Sequence, residues 1–263
     1  MSKKIKGSYL LNAVSVALVF ALLTGLFAAN AFGTSTTYIQ GICTTACYTI
    51  IMVTSLNLVV GFMGEFSLGH AGFVSVGAYV SAIVSGALAG KGLSDLGLFL
   101  MVVCVTIMYL FVRSKYGRTV QAIREDYIAA SASGINVTYY KVMTFAISAF
   151  FAGIGGGIYA HYMTAMIPTN FNFNYSAELL SEVIIGGTGS LTGSIIGAAF
   201  LSALPELMRE FSTYRMLAYS VVLVLVMLFR PGGIFGRWEF SLTRALEKLT
   251  GRGTVKAKAE KGA

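Results

Sequence analysis

The chain has 263 residues, of which 56% are hydrophobic and only 11% are charged, and its formal net charge is +8. Soluble domains carry about 25% charged residues, so this composition excludes a soluble globular protein and predicts an all-α membrane protein with several spans. The cysteines lie in apolar runs without a metal-ligand pattern and indicate no disulfide framework: Cys43, Cys47 and Cys104.

Apolar segments follow one another along most of the chain. The first comes after three lysines and resembles a secretory signal, with a small-residue cleavage pattern at residues 29–31. Its length of about 20 residues favours a retained span, because the apolar region of a signal usually has about 7–15 residues. The spans predicted in this way are residues 10–29, 38–62, 66–88, 98–112, 140–162 and 214–229.

Between the last two of these spans, glycine interrupts the apolar pattern. The sequence GGTGSLTG (residues 186–193) separates two short apolar arms, residues 177–185 and 194–204. Each arm is shorter than the roughly 20 residues that a full span needs. We therefore expect a Gly-broken helix pair, built either as a re-entrant pair or as two tilted spans around a turn.

The basic residues predict the orientation of the chain, because cytosolic segments of membrane proteins are rich in Lys and Arg. With a cytosolic amino terminus, sixteen of the nineteen Lys and Arg residues fall on the cytosolic side. This requires an even number of crossings over residues 177–204, which favours the broken pair. The predicted organisation is a transmembrane domain over residues 1–236 and a basic cytoplasmic tail over residues 237–263. The positive charge thus needs no nucleic-acid partner.

One long polar segment, residues 114–137, lies between the chain ends and should stand outside the bilayer. Read as one helix from Thr119, it places apolar and small residues on one face and charged residues off that face. A narrow apolar face with a small-residue end is typical of docking on a soluble partner, and an interfacial amphipathic helix is the alternative. The residues assigned to coupling are Val120, Ile123, Arg124, Glu125, Asp126, Tyr127, Ala129, Ala130 and Gly134.

Within this segment, GRTVQAIREDYIAASASGIN (residues 117–136) resembles the cytoplasmic coupling loop of permeases in ATP-binding-cassette (ABC) importers. NLVVGFMGEFSLGHAGFVSVGAY (residues 57–79) and IIGGTGSLTGSIIGA (residues 184–198), closed by RPGGIFG (residues 230–236), resemble permeases of branched-chain amino acid importers. The acidic residue of the loop pattern does not directly precede the alanines here, because Ile128 intervenes. Family members also usually carry additional membrane segments where this chain has only residues 90–97.

The resemblance implies a pore-forming subunit of the bacterial inner membrane that pairs with a second, homologous permease. Cytosolic ATP-binding subunits would dock on the coupling loops and bind all the ATP, so no cofactor is expected on this chain. An extracytoplasmic binding protein would deliver the amino acid, and ATP-driven movement of the loop would switch access from outside to inside. Similar permeases import urea, short amides or other amino acids, which leaves the substrate open.

Several residues inside the predicted spans are candidates for the translocation pathway. Glycines that break a helix at membrane depth must face protein or a watery cavity, because unsatisfied backbone groups are costly in lipid. Such breaks often mark substrate pathways in transporters. Tight helix packing is the other interpretation, since residues 189, 193 and 197 repeat glycine at every fourth position. The candidates are Asn57, His70, Glu182, Gly186, Gly187, Gly189 and Gly193.

The polar candidates also have structural interpretations. Glu182 follows Glu178 by four residues, so both share a helix face, and both could be solvated near the outer surface, Glu178 more readily than Glu182. For His70 we favour a hydrogen-bonded structural role at the start of a span. Asn57 and Glu65 are expected to form hydrogen bonds between helices rather than to perform chemistry.

Nothing in the sequence indicates an enzyme. GALAGKG (residues 86–92) is one residue short of a phosphate-binding loop and lacks its Ser or Thr. No Ser-His-Asp or Cys-His pairing and no metal-ligand spacing occurs. The alternative from another class is an ATPase-independent channel or membrane scaffold.

Overall fold

The computed structural model describes residues 36–87, 96–163 and 166–207, together with a few positions between 220 and 233. The first predicted span, most of the last one, the connection over residues 88–95 and the basic tail lie outside the described residues. Within the described ranges the secondary structure is helical and contains no strand. The predicted all-α class is therefore confirmed.

We number the helices of this part in chain order. They are α1 (Thr36–Asn57), α2 (His70–Ala87), α3 (Leu96–Arg113), α4 (Lys115–Glu125), α5 (Tyr127–Ala132), α6 (Val137–Tyr162), α7 (Phe173–Gly186) and α8 (Leu191–Leu207). A π-helix, Leu58–Met63, continues α1, and a short 3-10 turn, Pro168–Asn170, precedes α7. These bounds agree with the predicted spans except that α2 begins four residues later than predicted, after a non-helical stretch over residues 66–69.

Two of the described helical segments are long and apolar enough to cross a membrane, Thr44–Met63 and Val137–Tyr162. Leu100–Arg113 and Lys115–Glu125 together could form a third, although they are bent by 64° at the break between them. The first segment is mostly buried inside the protein, whereas less than half of the second is buried. α1 is therefore the central helix, and it packs against α3, α6, α7 and α8.

Contacts between the helices show their directions. Near the start of α6, Tyr140 packs with Val59 and Met63 of the π-helix, and near its end Tyr159 packs edge-to-face on Tyr48 of α1. α1 and α6 therefore run antiparallel. We call the end of the bundle that carries α4 and α5 the loop end, and the opposite end the far end.

The broken pair starts and finishes at the far end. α7 runs from the aromatic contact between Phe171 and Tyr175 towards the loop end, where Gly189 meets Asn57 of α1. α8 then returns alongside α7, and a Cβ on Gly197 would lie 2.6 Å from the Cα of Gly186. The chain thus leaves the pair on the side where it entered, as an even number of crossings requires.

α2 and α6 make the most extensive helix contact in the described part, and glycine permits it. A Cβ on Gly77 would overlap the backbone of Gly153, and one on Gly156 would overlap the carbonyl group of Val74. Small residues let helices approach closely where lipid provides no hydrophobic driving force. The sequence analysis did not single out this interface, although the run of glycines at residues 153–157 was its signal.

Candidate functional site

The polar segment at the loop end is two helices rather than one. Asp126 has extended backbone geometry (φ −153°, ψ 102°) and separates α4 from α5. Its carboxylate accepts hydrogen bonds from the backbone N–H groups of Ile128 (2.9 Å) and Ala129 (3.0 Å). This is the behaviour of an N-cap residue, which satisfies otherwise unpaired donors of the first turn. The prediction of one continuous helix from Thr119 is therefore wrong.

The break divides the predicted coupling face into two parts. On α4, Val120 and Ile123 are buried, and Val120 packs against Val59 and Met63 of the π-helix. Their burial against this chain corrects the prediction that they face a partner. Ala130 of α5 is buried as well.

The remaining coupling candidates form an exposed surface on α5 and around it. The side chains of Tyr127 and Ile128 are 63% and 64% exposed. Gly134 ends this surface with positive φ (81°), and a Cβ there would have no neighbour within 4 Å. We call this surface the α5 patch; its exposed members are Glu125, Asp126, Tyr127, Ile128, Ala129 and Gly134.

The glycine break is narrower than the predicted run of residues 186–193. Only Gly187 (φ 117°) and Gly189 (φ 86°) have positive φ within it, a conformation that side chains disfavour. Gly186 is the last residue of α7, and Gly193 lies in the first turn of α8. A Cβ on Gly186 would lie 2.7 Å from the carbonyl oxygen of Gly193, so these two permit helix packing. The break and the packing interpretations thus apply to different glycines.

Asn57, the last residue of α1, holds the break by three hydrogen bonds. Its Nδ2 donates to the carbonyl oxygen of Ser190 (3.0 Å) and to Oγ of Ser194 (2.7 Å). Its Oδ1 accepts from the backbone N–H of Gly189 (3.1 Å). The predicted hydrogen bonds between helices are confirmed for Asn57, which is completely buried. The bond from Gly189 satisfies a backbone donor within the break, and the bonds to Ser190 and Ser194 tie the start of α8 to the end of α1.

Arg124 of α4 reaches the same place from the loop end. Its Nη1 donates to the carbonyl oxygen of Gly61 in the π-helix, and a Cβ on Gly189 would lie 3.0 Å from this nitrogen. On the way the Arg124 side chain crosses Gly64, where a Cβ would lie 2.8 Å from its Cγ. A Cβ on Gly61 would overlap Oδ1 of Asn57. Single π-helical turns are frequent at functional sites.

We call these residues the break cluster: Asn57, Gly61, Arg124, Gly189 and Ser190. Sequence analysis assigned Arg124 to the loop and Asn57 and Gly189 to the pathway, and the structure brings the two groups together. The sequence analysis did not identify Gly61. Its position one helical turn after the only Asn of an apolar span could have indicated its role.

Two further polar predictions concern packing. Glu65 lies in the non-helical stretch after the π-helix and forms an ion pair with Lys141 of α6, so its bond does not join two helices as predicted. Being half exposed, this ion pair contributes little stability. His70 is buried, and its Nε2 lies 3.0 Å from Oγ of Ser55 in α1. Ser148 of α6 donates to the carbonyl oxygen of Ser55 (2.6 Å). His70 thus has the hydrogen-bonded structural role favoured by the sequence.

The two carboxylates of α7 differ in environment. Glu178 is exposed, as the solvated interpretation predicts, whereas Glu182 is only 5% exposed. Among the described residues, no group forms a hydrogen bond with Oε2 of Glu182. In the same ranges, no three His, Cys, Asp or Glu side chains gather as they would around a metal ion.

Comparison with known proteins identifies the family. Residues 84–230, more than half of the chain, match the family of branched-chain amino acid transport system permease components. The high-affinity branched-chain amino acid transport system permease protein LivM of Salmonella typhimurium is 38% identical over 142 residues, which are 52% of this chain and 33% of LivM. A second permease protein of such a system, LivH of Escherichia coli K12, is 31% identical over 143 residues, which are 54% of this chain and 46% of LivH.

A sugar permease is also similar. The ribose import permease protein RbsC of Haemophilus influenzae is 29% identical over 136 residues, 48% of this chain and 42% of RbsC. The matched region thus spans a third to a half of the length of these relatives. No solved structure matches the chain. The match over residues 84–230 shows that this chain belongs to the family of permease components of branched-chain amino acid transport systems.

Proposed function

We propose that the chain is the membrane permease subunit of an ATP-driven importer that translocates branched-chain or other hydrophobic amino acids. Family membership supports the permease role. One structural observation supports the mechanism: the segment that carries the exposed α5 patch also places Arg124 on Gly61 of the π-helix and beside Gly189 of the Gly-broken pair. A docking surface and a helix break in the bundle are thereby joined through the two consecutive helices α4 and α5.

The proposed assembly has four kinds of component. Cytosolic ATP-binding subunits dock on the α5 patch and hold the ATP, and a second, homologous permease completes the pore. An extracytoplasmic binding protein delivers the substrate at the far end. The chain lies in the bacterial inner membrane with both termini cytosolic, so that an impermeant thiol reagent should label Ser114→Cys, in a background without other cysteines, only from the cytosolic side.

Coupling in this proposal follows the contacts of α4. Closure of the ATPases displaces α5 and α4 together, because only Asp126 separates them. Val120 transmits the displacement to the π-helix by packing on Val59 and Met63, and Arg124 transmits it to the carbonyl group of Gly61. Both contacts act beside the hydrogen bonds that Asn57 makes to the break. Small shifts of packed elements between two arrangements are a common means of switching access.

The relatives define the candidate substrates. LivM and LivH are named for branched-chain amino acids, whereas RbsC is named for ribose. We favour amino acids because the family model and the more similar relatives agree on them. Import of urea or short amides and passive conduction by an ATPase-independent channel or scaffold are the remaining alternatives.

The test is reconstitution of the chain with the ATPases, second permease and binding protein of its own organism. We expect the ATPases to co-purify with the chain and labelled leucine to enter proteoliposomes only when ATP is hydrolysed. Labelled ribose and urea, supplied in parallel, should not accumulate. Leucine entry without ATP, or a chain that retains no ATPase, would contradict the proposal and favour the channel.

A further inference from the structure

The far end of the bundle contains a cluster of aromatic rings around an open cavity. Tyr159 of α6 packs edge-to-face on Tyr48 (5.3 Å between ring centroids) and on Phe171 (5.7 Å), and Phe171 packs on Tyr175 of α7 (6.2 Å). The cavity has a volume of about 340 Å³, and its walls include Tyr159, Phe171, Tyr175 and Glu178. The remaining lining residues are polar.

Glu182 lies one helical turn further into the bundle than Glu178, on the same face of α7. Tyr175, Glu178 and Glu182 are spaced three and four residues apart, so the face that lines the cavity continues to Glu182. Oε2 of Glu182 has no hydrogen-bond partner within the described part of the chain.

No Lys or Arg side chain of the described ranges lies at the far end, where this carboxyl group is buried. The Lys and Arg residues of these ranges all lie between residues 113 and 141, at the loop end. A buried carboxylate without a partner is strongly unfavourable, and carboxylates in membrane proteins typically pair with a cation or serve a transported one. The far end of the described part therefore has a buried carboxyl group with a vacant acceptor oxygen, one helical turn below an open cavity.

The surroundings favour an ammonium group over a metal ion. Ca²⁺ takes 6–8 oxygen ligands, and the described residues offer no such gathering. A primary ammonium group has three N–H donors and is attracted to aromatic faces. Tyr175 donates its hydroxyl proton to Sδ of Met52 (3.3 Å), which leaves the lone pairs of the phenol oxygen as acceptors.

We propose that Glu182, with the rings of Tyr48, Tyr159 and Tyr175, forms a binding site for the ammonium group of a primary amine that enters through the far-end cavity. Glu178 at the mouth attracts the cation, and Glu182 accepts its hydrogen bond. The inference rests on the proposed function in one respect: the natural ligand would be the α-ammonium group of the imported amino acid.

The test uses the full chain in detergent and two isosteric probes, 3-methylbutylamine, which is a cation at pH 7, and the neutral 3-methylbutanol. By calorimetry, the wild-type chain should bind the amine at least about tenfold more tightly than the alcohol, since a hydrogen bond to a charged group is involved. Glu182→Gln should remove this preference. The exposed Glu178→Gln should reduce the amine affinity by about threefold or less, since a rim charge contributes little.

Equal binding of amine and alcohol by the wild-type chain would overturn the inference without reference to any variant. So would an unchanged amine affinity in Glu182→Gln, because the carboxyl group would then hold a proton rather than the ligand. Leucine uptake by the reconstituted importer tests the proposed function independently of the amine-binding site. ATP-driven leucine uptake combined with an unchanged amine affinity in Glu182→Gln refutes only the site, whereas amine selectivity without ATP-driven uptake refutes only the importer.

Discussion

At the scale of single residues, the break cluster depends on the absence of a side chain at residue 61. Oδ1 of Asn57 and the backbone N–H of Gly189 occupy the space that a Cβ on Gly61 would fill. This hydrogen bond satisfies a backbone donor in a positive-φ turn. Its loss would leave a partly buried N–H unpaired, at a cost below the about 3 kcal/mol that a fully buried group can lose.

Gly61→Ala should therefore lower the thermal stability of the purified chain and slow leucine uptake. Gly72→Ala in α2 is the matched control, because no atom lies within 4 Å of a Cβ there. Ala is favoured over Gly in a helix by about 1 kcal/mol, so the control should be neutral or slightly stabilising. Thermal unfolding in detergent measures the stability of both variants. Equal behaviour of the two variants would mean that the cluster tolerates the displacement of Asn57.

At the scale of elements, α5 owes its start to one carboxylate. Asp126 caps the first turn, and this turn orients the exposed Tyr127 and Ile128. α5 has only six residues, and helices this short depend on caps and tertiary contacts rather than on propensity.

Asp126→Ala should destabilise α5 by about 0.5–2 kcal/mol and thereby weaken retention of the ATPases. Asp126→Asn keeps the acceptor oxygen and should behave nearly as the wild type. The rate of amide hydrogen exchange over residues 127–133 measures the effect of the cap on α5. The amount of ATPase that co-purifies with the chain measures docking. If exchange accelerates in Asp126→Ala while the ATPases are fully retained, α5 is not the docking element.

The long helices were predictable from the sequence, whereas the break between α4 and α5 was not. Long apolar runs predicted α1, α2, α3 and α6, because burial in a bilayer requires such runs. The break at Asp126 was missed because small and apolar residues continue the helical spacing across it. Local periodicity does not reveal that an Asp side chain will turn back onto the next helix.

At the scale of the whole molecule, the contact between α4 and the π-helix beside the glycine break had no local signal. Arg124 and Gly61 are 63 positions apart, and their hydrogen bond follows from how α4 folds back onto the π-helix. The polarity of Asn57 within an apolar span did predict bonds between helices. Its partners on residues 189–194 became identifiable only from the packing of α1 against α8.

The central claim is that α4 transmits ATPase movement to the glycine break through Arg124. The direct test is the number of ATP molecules hydrolysed per leucine imported by the reconstituted assembly carrying Arg124→Gln. Arg118→Gln, on the same helix but exposed, is the matched control. We predict that Arg124→Gln retains its ATPases and hydrolyses ATP while importing at least about tenfold less leucine per ATP, and that Arg118→Gln resembles the wild type. An unchanged ratio in Arg124→Gln would contradict the account.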